Sequence, residues 1–199
     1  MRILVSGAPV MWRLKCILLV MITLWASGDL LAKAPGSLHE LGSTWKDQNG
    51  LAFAWKDMEG QVVLLSMVYT SCEQTCPLII TELSALQKAL PSHLQDRVQV
   101  LIFTFDPDRD TQGRLAAYAK ARHLNPKWRF LRSSPDDVQE LAAVLNFRYK
   151  KMESEDYAHS NIFTVLDQKG HMRHQQLELF RGRGQTVEMI QSILESAGR

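Results

Sequence analysis

Residues 62–77 read VVLLSMVYTSCEQTCP. The apolar run that ends at Tyr69 has the length and composition of a buried strand. Two cysteines, Cys72 and Cys76, follow this run, and Pro77 then suits the first turn of a helix. Thiols at a helix N-terminus face the positive end of the helix dipole, which favours their thiolate forms. Because thiolates attack disulfides and bind soft metals, we expect the chemistry of the protein in this segment.

The rest of the chain alternates between strand and helix patterns. Apolar runs predict further strands at 98–105, 128–131 and 162–166, and the turn at 167–170 predicts that the last of these continues as a hairpin into 171–179. Helical spacing and capping residues predict helices at 77–90, after Asp110 or Thr111, from Ser134-Pro135-Asp136-Asp137, and at 186–196. The turn Asn49-Gly50 predicts an N-terminal hairpin. With a cysteine motif between the first long strand and its helix, this order predicts an α/β, thioredoxin-like three-layer sandwich with a mixed central sheet.

Length and composition indicate one globular domain. The chain has 199 residues, 46% of them hydrophobic and 22% charged, which suits one domain with a substantial core. The formal net charge is +2, and residues 1–28 carry three basic residues and no acid, so the remainder is nearly neutral. A nearly neutral body gives no electrostatic case for binding nucleic acid. We therefore expect no nucleic-acid partner.

The N-terminus has the pattern of an export signal. Arg13 and Lys15 precede an apolar stretch at 16–26, and the small residues Ala26-Ser27-Gly28 suit a cleavage site. This apolar stretch is shorter than the roughly 18 residues needed to span a bilayer. We predict a signal peptide at 1–28, either cleaved or kept as an uncleaved anchor, a linker at 29–37 and the folded domain at 38–199.

Export would leave Cys72 and Cys76 as the cysteines of the mature protein. A disulfide between them would close a very short loop and constrain the unfolded chain little, so a working thiol pair explains them better than a structural staple. Thioredoxin-type oxidoreductases place two residues between their cysteines, whereas this chain has three. The longer loop leaves room for a metal between the thiolates, which are soft ligands that suit Cu(I) or zinc.

A third donor is needed to complete such a metal site, and His159 is the candidate. It lies just before the strand predicted at 162–166. In thioredoxin-like folds the loop before the corresponding strand approaches the cysteine loop. An imidazole with two thiolates can hold both oxidation states of copper. The alternative interpretation is a histidine that only satisfies the backbone of its loop.

Four motifs together resemble the Sco, or SenC, family of copper-binding assembly proteins. They are Val68–Pro77, Phe105–Thr111, His159-Ser160 and Leu166–Gly170, and their order and spacing match the family from about residue 43 to 197. The resemblance implies a thioredoxin-like domain that faces the periplasm or the mitochondrial intermembrane space. It also implies that Cys72, Cys76 and His159 bind copper, as Cu(I), Cu(II) or both.

The usual role of this family is to mature the dinuclear copper centre in subunit II of cytochrome c oxidase. The family does this by delivering copper or by reducing the cysteines of that subunit. The resemblance therefore implies as partners this subunit or a similar copper protein, together with a copper donor or thiol reductant. For a bacterial chain it implies a periplasmic domain, soluble after signal cleavage or tethered to the inner membrane by an uncleaved N-terminal segment.

The chain departs from the family pattern at two places. Many members have an aspartate immediately before the histidine, where this chain has Ala158, and many have Pro-Asp after the first cysteine, where it has Glu73-Gln74. A carboxylate beside the histidine could orient the ring or assist copper transfer. Both changes leave the three implied ligands in place, so they bear on transfer kinetics and partner choice rather than on metal binding.

Three functions remain open from the sequence. The first is a copper metallochaperone that uses Cys72, Cys76 and His159. The second is a thiol–disulfide oxidoreductase in which Cys72 and Cys76 are the redox-active pair and copper is incidental. The third is a peroxidase-like enzyme of the related peroxiredoxin or glutathione-peroxidase type, although those enzymes use a lone peroxidatic thiol.

Three other segments have ordinary interpretations beside functional ones. We interpret Asp106-Pro107 as a turn and Asp110-Thr111 as a helix cap, with a role near the site as the alternative. His171 and His174 fit an exposed strand face, with a secondary copper site as the alternative. The basic run at 148–151 fits a solvated segment, with a docking patch for an acidic partner as the alternative.

Overall fold

The computed structural model of the protein describes residues 36–196. The signal segment predicted at 1–28, most of the linker predicted at 29–37 and the last three residues of the chain lie outside the described residues. Between residues 36 and 196, no helix combines the length and the apolar character that crossing a bilayer requires.

The described part of the chain forms nine strands and five α-helices, and the last four strands follow one another without a helix between them. The strands are β1 (Thr44–Lys46), β2 (Ala52–Ala54), β3 (Val62–Val68), β4 (Val98–Thr104), β5 (Arg129–Leu131), β6 (Tyr149–Lys151), β7 (Tyr157–His159), β8 (Phe163–Leu166) and β9 (Met172–Gln176). The α-helices are α1 (Thr75–Ala89), α2 (Ser92–Gln95), α3 (Gln112–Ala121), α4 (Pro135–Val144) and α5 (Arg183–Ser196). Two 3-10 turns, Leu38–Glu40 and Trp55–Met58, flank the first hairpin.

Five strands form the central sheet in the order β5-β4-β3-β8-β9. Strand β4 runs parallel to both β3 and β5, whereas β8 runs antiparallel to β3 and β9 antiparallel to β8. The predicted α/β class with a mixed sheet is therefore confirmed. Every residue of β3 and β8 is buried, as expected of interior strands that are covered on both faces.

The predicted N-terminal hairpin is present as the antiparallel pair β1 and β2. Its turn is closed by the buried carboxylate of Asp47, which accepts hydrogen bonds from the amides of Asn49 and Leu51 at 2.9 and 3.0 Å. The aromatic side chain of Trp45, in β1, packs edge-on against Phe103 of β4 with ring centroids 4.7 Å apart. This packing attaches the hairpin to the central sheet.

Helix α1 differs from its predicted form in ways that matter for the site. It begins at Thr75, two residues before Pro77, so that Cys76 lies in its first turn. The buried stripe of the helix includes Ile79 and Leu83, whereas the neighbouring Leu78 is 42% exposed. Leu78 lies one residue before Ile79, which places it about 100° around the helix from that stripe.

The hairpin formed by β6 and β7 was not predicted as strands. It forms a separate two-stranded antiparallel sheet, with Tyr149 opposite His159 and Lys150 opposite Ala158. The basic run at 148–151 therefore includes a strand rather than only a solvated segment, although Lys150 is exposed as expected. This hairpin carries the candidate histidine.

Candidate metal centre

The two cysteines lie where a buried strand passes into a helix. Strand β3 ends at Val68, and the amide of Cys72 then donates a hydrogen bond to the carbonyl of Tyr69 at 3.3 Å. The amide of Cys76 donates to Sγ of Cys72 at 3.2 Å, which turns the first sulfur towards the start of α1. Both side chains are buried, Cys72 with 7% of its surface exposed and Cys76 with none. Both are free thiols.

The structure brings His159 to the two sulfurs. Its Nε2 lies 4.0 Å from Sγ of Cys76, although 83 positions separate the two residues in the chain. One ligand atom from each of Cys72, Cys76 and His159 lies within 4.8 Å of the other two. Within residues 36–196 these side chains form the one group of three histidines, cysteines or acids positioned to hold a metal ion.

The imidazole of His159 is oriented for coordination. Its Nδ1 lies 2.9 Å from the carbonyl oxygen of Ser160. A carbonyl can only accept a hydrogen bond, so Nδ1 carries the proton and donates. The lone pair is then on Nε2, the atom that faces the sulfur of Cys76.

Aromatic rings surround this histidine. The ring centroid of His159 lies 5.2 Å from Phe105 and 6.1 Å from both Tyr69 and Phe147. Phe105 follows strand β4, and Tyr69 directly precedes the cysteine loop. The rings therefore hold the imidazole in an apolar wall that limits water around the two sulfurs, while the histidine itself stays half-buried.

The loop after β4 holds the cysteine loop in place. The carboxylate of Asp110 is fully buried and accepts a hydrogen bond from the amide of Thr70 at 3.0 Å and another from the hydroxyl of the same residue. The hydroxyl of Thr104 donates to the same carboxylate at 2.5 Å. Thr111 caps α3 by accepting from the amide of Arg114, so Asp110 is free for this other role. The interpretation as a helix cap is therefore confirmed for Thr111 and wrong for Asp110, for which the alternative of a role near the site holds.

Burial raises the pKa of the Cys76 thiol well above its ordinary value, and the neighbouring Cys72 raises it further. The expectation that the helix dipole favours a thiolate therefore does not hold for Cys76 without a cation. The dipole contributes about 0.3–1 kcal/mol near a helix terminus, whereas full burial of an ionisable group costs several times more. A bound cation reverses this balance, because it deprotonates a thiol that coordinates it.

The two other histidines considered above lie elsewhere and have their own partners. His171 is exposed, with Nδ1 3.6 Å from the carboxylate of Asp167. His174 has its Nε2 3.1 Å from the hydroxyl of Thr186. Neither histidine belongs to the group formed by Cys72, Cys76 and His159, and the two have different partners.

Comparison with known proteins decides the family. The SCO1/SenC family model matches residues 40–196 of the chain. The chain belongs to the SCO1/SenC family. The SCO1 protein homolog of Bacillus subtilis is 28% identical over 156 residues, which cover 76% of this chain and 80% of that protein.

Solved Sco-family structures have the same fold. ScoI of Bradyrhizobium japonicum, solved with copper bound, matches with a TM-score of 0.65 at 23% identity, over 75% of this chain and 96% of that one. BsSco is described as having a disulfide switch and as a member of the Sco family of cytochrome c oxidase assembly proteins. It matches with a TM-score of 0.66 at 23% identity, over 81% of this chain and 96% of its own. The predicted thioredoxin-like fold is therefore confirmed.

Proposed function

We propose that this Sco-family protein is a copper metallochaperone whose cargo is held by Cys72, Cys76 and His159. The observation that carries the proposal is the approach of these three donor atoms to within 4.8 Å of one another from two distant segments of the chain. It is supported by the family membership and by the copper found in ScoI of Bradyrhizobium japonicum.

The chemistry of the three donor atoms fits copper better than zinc. Two sulfurs and one imidazole suit Cu(I), and the nitrogen also makes Cu(II) acceptable. Structural zinc sites are almost always tetrahedral with four protein ligands. Within residues 36–196, three side chains of the types histidine, cysteine, aspartate or glutamate come together here, and no fourth of these types joins them.

The exposure of the three ligands suggests an order of transfer. Cys76 is fully buried and Cys72 nearly so, whereas His159 is half-buried at the end of its hairpin. An incoming donor group from a client protein therefore reaches the histidine side of the ion first. The client donor replaces the imidazole, and the two thiolates then release the copper one after the other by ligand exchange.

The proposed client is subunit II of cytochrome c oxidase, or a similar protein with a dinuclear copper centre. The description of BsSco as a member of a family of cytochrome c oxidase assembly proteins supports this choice. Such a role needs an exported domain, in agreement with the signal predicted at residues 1–28. The domain is then periplasmic, either soluble after signal cleavage or tethered to the inner membrane by its N-terminus.

A transfer assay tests this function. The copper-loaded full-length chain is mixed with the metal-free soluble domain of subunit II, and the absorption of the dinuclear copper centre is followed. Copper should move to the client from the native chain, whereas the Cys76→Ser variant should deliver none. Retention of all copper by the native chain in the presence of a competent client domain would refute the delivery role.

A second function, thiol–disulfide exchange, is favoured by two observations. Both cysteines are free thiols with their sulfurs within 4.8 Å, and BsSco is described as having a disulfide switch. The thiolate of Cys72 would attack a client disulfide, and Cys76 would displace the client's sulfur from the mixed disulfide. The client then leaves with two reduced thiols, and the pair Cys72–Cys76 carries the oxidised disulfide. A Cys76→Ser variant that traps a mixed disulfide would support this function, which makes no use of His159.

A further inference from the structure

We infer that Arg109 is a positioning residue that holds the β6–β7 hairpin against the cysteine loop and so keeps His159 within reach of the copper ion. This inference rests on the proposed copper function. Arg109 belongs to the loop between β4 and α3 and lies outside the group of three metal-binding side chains.

The guanidinium of Arg109 is held at its Nε atom. Its Nε forms an ion pair with the carboxylate of Asp106, whose side chain is only 4% exposed. Asp106 itself is fixed by its amide, which donates to the hydroxyl of Thr104 at 3.0 Å. The arginine is thus attached to the end of strand β4 in the central sheet.

From this anchor Arg109 reaches the hairpin. Its Nη1 donates a hydrogen bond to the carbonyl of Glu155 at 2.9 Å, in the turn between β6 and β7. Its guanidinium carbon lies 5.4 Å from the ring centroid of Tyr157, and the hydroxyl of Tyr157 lies 3.4 Å from the carboxylate of Asp106. Tyr157 is two residues before His159 in the same strand.

The same guanidinium also contacts the other half of the site. It lies 5.6 Å from the ring centroid of Tyr69, which directly precedes the cysteine loop. Tyr69 and Tyr157 in turn pack edge to face with centroids 5.2 Å apart. One side chain therefore touches both the segment that carries the cysteines and the hairpin that carries the histidine.

The hairpin needs such an attachment because its own stability is low. It consists of two strands of three residues each and is not hydrogen-bonded into the central sheet. An isolated two-stranded hairpin is marginally stable at best in water. Arginine suits the task because its planar guanidinium can donate in several directions and stack on aromatic rings at once, which a lysine cannot do.

Loss of this attachment should affect the two oxidation states of copper differently. Two thiolates are soft ligands that satisfy Cu(I) largely by themselves, whereas Cu(II) depends more on the imidazole. Removing a group that orients a metal ligand typically costs about 10- to 100-fold in metal affinity. We expect a Cu(II) loss of that size in Arg109→Leu and a smaller loss for Cu(I).

The chain offers a closely matched control in Arg129. This arginine forms an ion pair with the buried Asp47 at 3.2 Å, donates to the carbonyl of Ala52 and lies 5.0 Å from the ring centroid of Phe53. It makes the same three kinds of contact as Arg109, but it attaches the N-terminal hairpin to strand β5 rather than the β6–β7 hairpin to the cysteine loop. Arg129→Leu therefore reports the general effect of losing such an arginine on folding.

The experiment compares the full-length native chain with Arg109→Leu and Arg129→Leu. Cu(II) and Cu(I) affinities are measured by competition titration, and the thiolate-to-Cu(II) charge-transfer absorption is recorded. Arg109→Leu should lower the affinity for Cu(II) more than the affinity for Cu(I), and it should alter the absorption band. Arg129→Leu should leave the two affinities and the band unchanged. In the metal-free chain, hydrogen exchange of the amides at 149–159 should accelerate in Arg109→Leu and not in Arg129→Leu.

A double-mutant cycle with His159→Ala shows whether Arg109 acts through the histidine. In that background, Arg109→Leu should cause no further loss of Cu(II) affinity. The inference is overturned if the native chain binds Cu(II) and Arg109→Leu binds it equally well, or if both arginine variants lose the same affinity. It is also overturned if the loss persists without His159. Failure of the native chain to bind copper at all would instead refute the proposed function on which the inference rests.

Discussion

The buried carboxylate of Asp110 receives hydrogen bonds from both the amide and the hydroxyl of Thr70, two positions before Cys72. Forty positions separate the two residues in the chain. Asp110 also accepts from Thr104 at the end of β4, so one carboxylate ties the cysteine loop to the central sheet. The position of the first sulfur therefore depends on a residue that does not coordinate metal.

Asp110→Asn should weaken copper binding. An amide nitrogen would face the donors that the carboxylate now satisfies, and a buried donor left without a partner costs about 1–3 kcal/mol. The cysteine loop should loosen, and the Cu(I) affinity measured by competition titration should fall. Asp47→Asn is the control, because Asp47 is also a buried carboxylate that accepts two backbone amides, but in the N-terminal turn. Equal copper affinities in the two variants would show that Asp110 has no special role.

Copper affinity should rise with pH through the neutral range. Burial raises the pKa of the Cys76 thiol, so the metal-free protein keeps this proton at neutral pH and must lose it to form the thiolate. The apparent affinity then increases about tenfold per pH unit for each proton that copper displaces. The measurement is Cu(I) competition titration between pH 6 and pH 8. Cys76→Ser should lower the slope of log affinity against pH by one, because one proton fewer is displaced. A flat profile in the native chain would contradict the assignment of Cys76 as a copper ligand.

Ala158→Asp, which restores the residue that many family members have, should leave copper affinity unchanged. Ala158 is exposed and lies between Tyr157 and His159, so its side chain points to the opposite face of β7. Across the hairpin its partner is Lys150, with which a new aspartate would pair. The rate of copper transfer to the client should change instead, as measured by stopped-flow absorption. A tenfold gain in affinity would show that the new carboxylate reaches the ion.

Arg183→Ala should destabilise the fold without affecting copper binding. Arg183 begins α5, and its Nη2 lies 2.5 Å from the fully buried carboxylate of Glu82 in α1. Removing the arginine leaves the buried carboxylate of Glu82 with the amide of Gln176 as its remaining side-chain partner. Because the Arg183 side chain is 40% exposed, we expect a loss of about 1–3 kcal/mol in the free energy of unfolding. Denaturant unfolding measures this loss. Arg181→Ala is the control, since its pair with Glu178 is exposed and should contribute less than about 1 kcal/mol.

Local patterns in the sequence predict the mixed α/β fold and single out Cys72 and Cys76, whereas His159 is distinguished from an ordinary loop histidine only by the resemblance to the Sco family. A fully buried strand corresponds to an uninterrupted apolar run in the sequence. A thiol pair at the start of a helix is a motif of residues that are close together in the sequence. The three-residue strands β6 and β7 gave no such signal, because Lys150 and Lys151 break the apolar pattern. They are held by contacts with Tyr69, Phe105 and Arg109, which are distant in the chain.

The electrostatics of the site also depended on long-range packing. The sequence places Cys76 directly before the helix predicted at 77–90 and so indicates a favourable helix dipole, although α1 begins at Thr75 and includes Cys76 in its first turn. The burial that raises its pKa depends on how α1 packs onto the sheet, which no local pattern reveals. The same reason explains why a role of Asp110 near the site was only the alternative to a helix cap, since its partner Thr70 lies in another segment.

X-ray absorption spectroscopy at the copper edge, on the full-length chain loaded with one equivalent of copper, tests the three-donor site most directly. The native chain should show two sulfur donors and one imidazole nitrogen. His159→Ala should lose the nitrogen and keep both sulfurs, whereas Cys72→Ser and Cys76→Ser should each lose one sulfur. A His159→Ala spectrum identical to the native one would contradict the account, because the copper would then be held without the histidine.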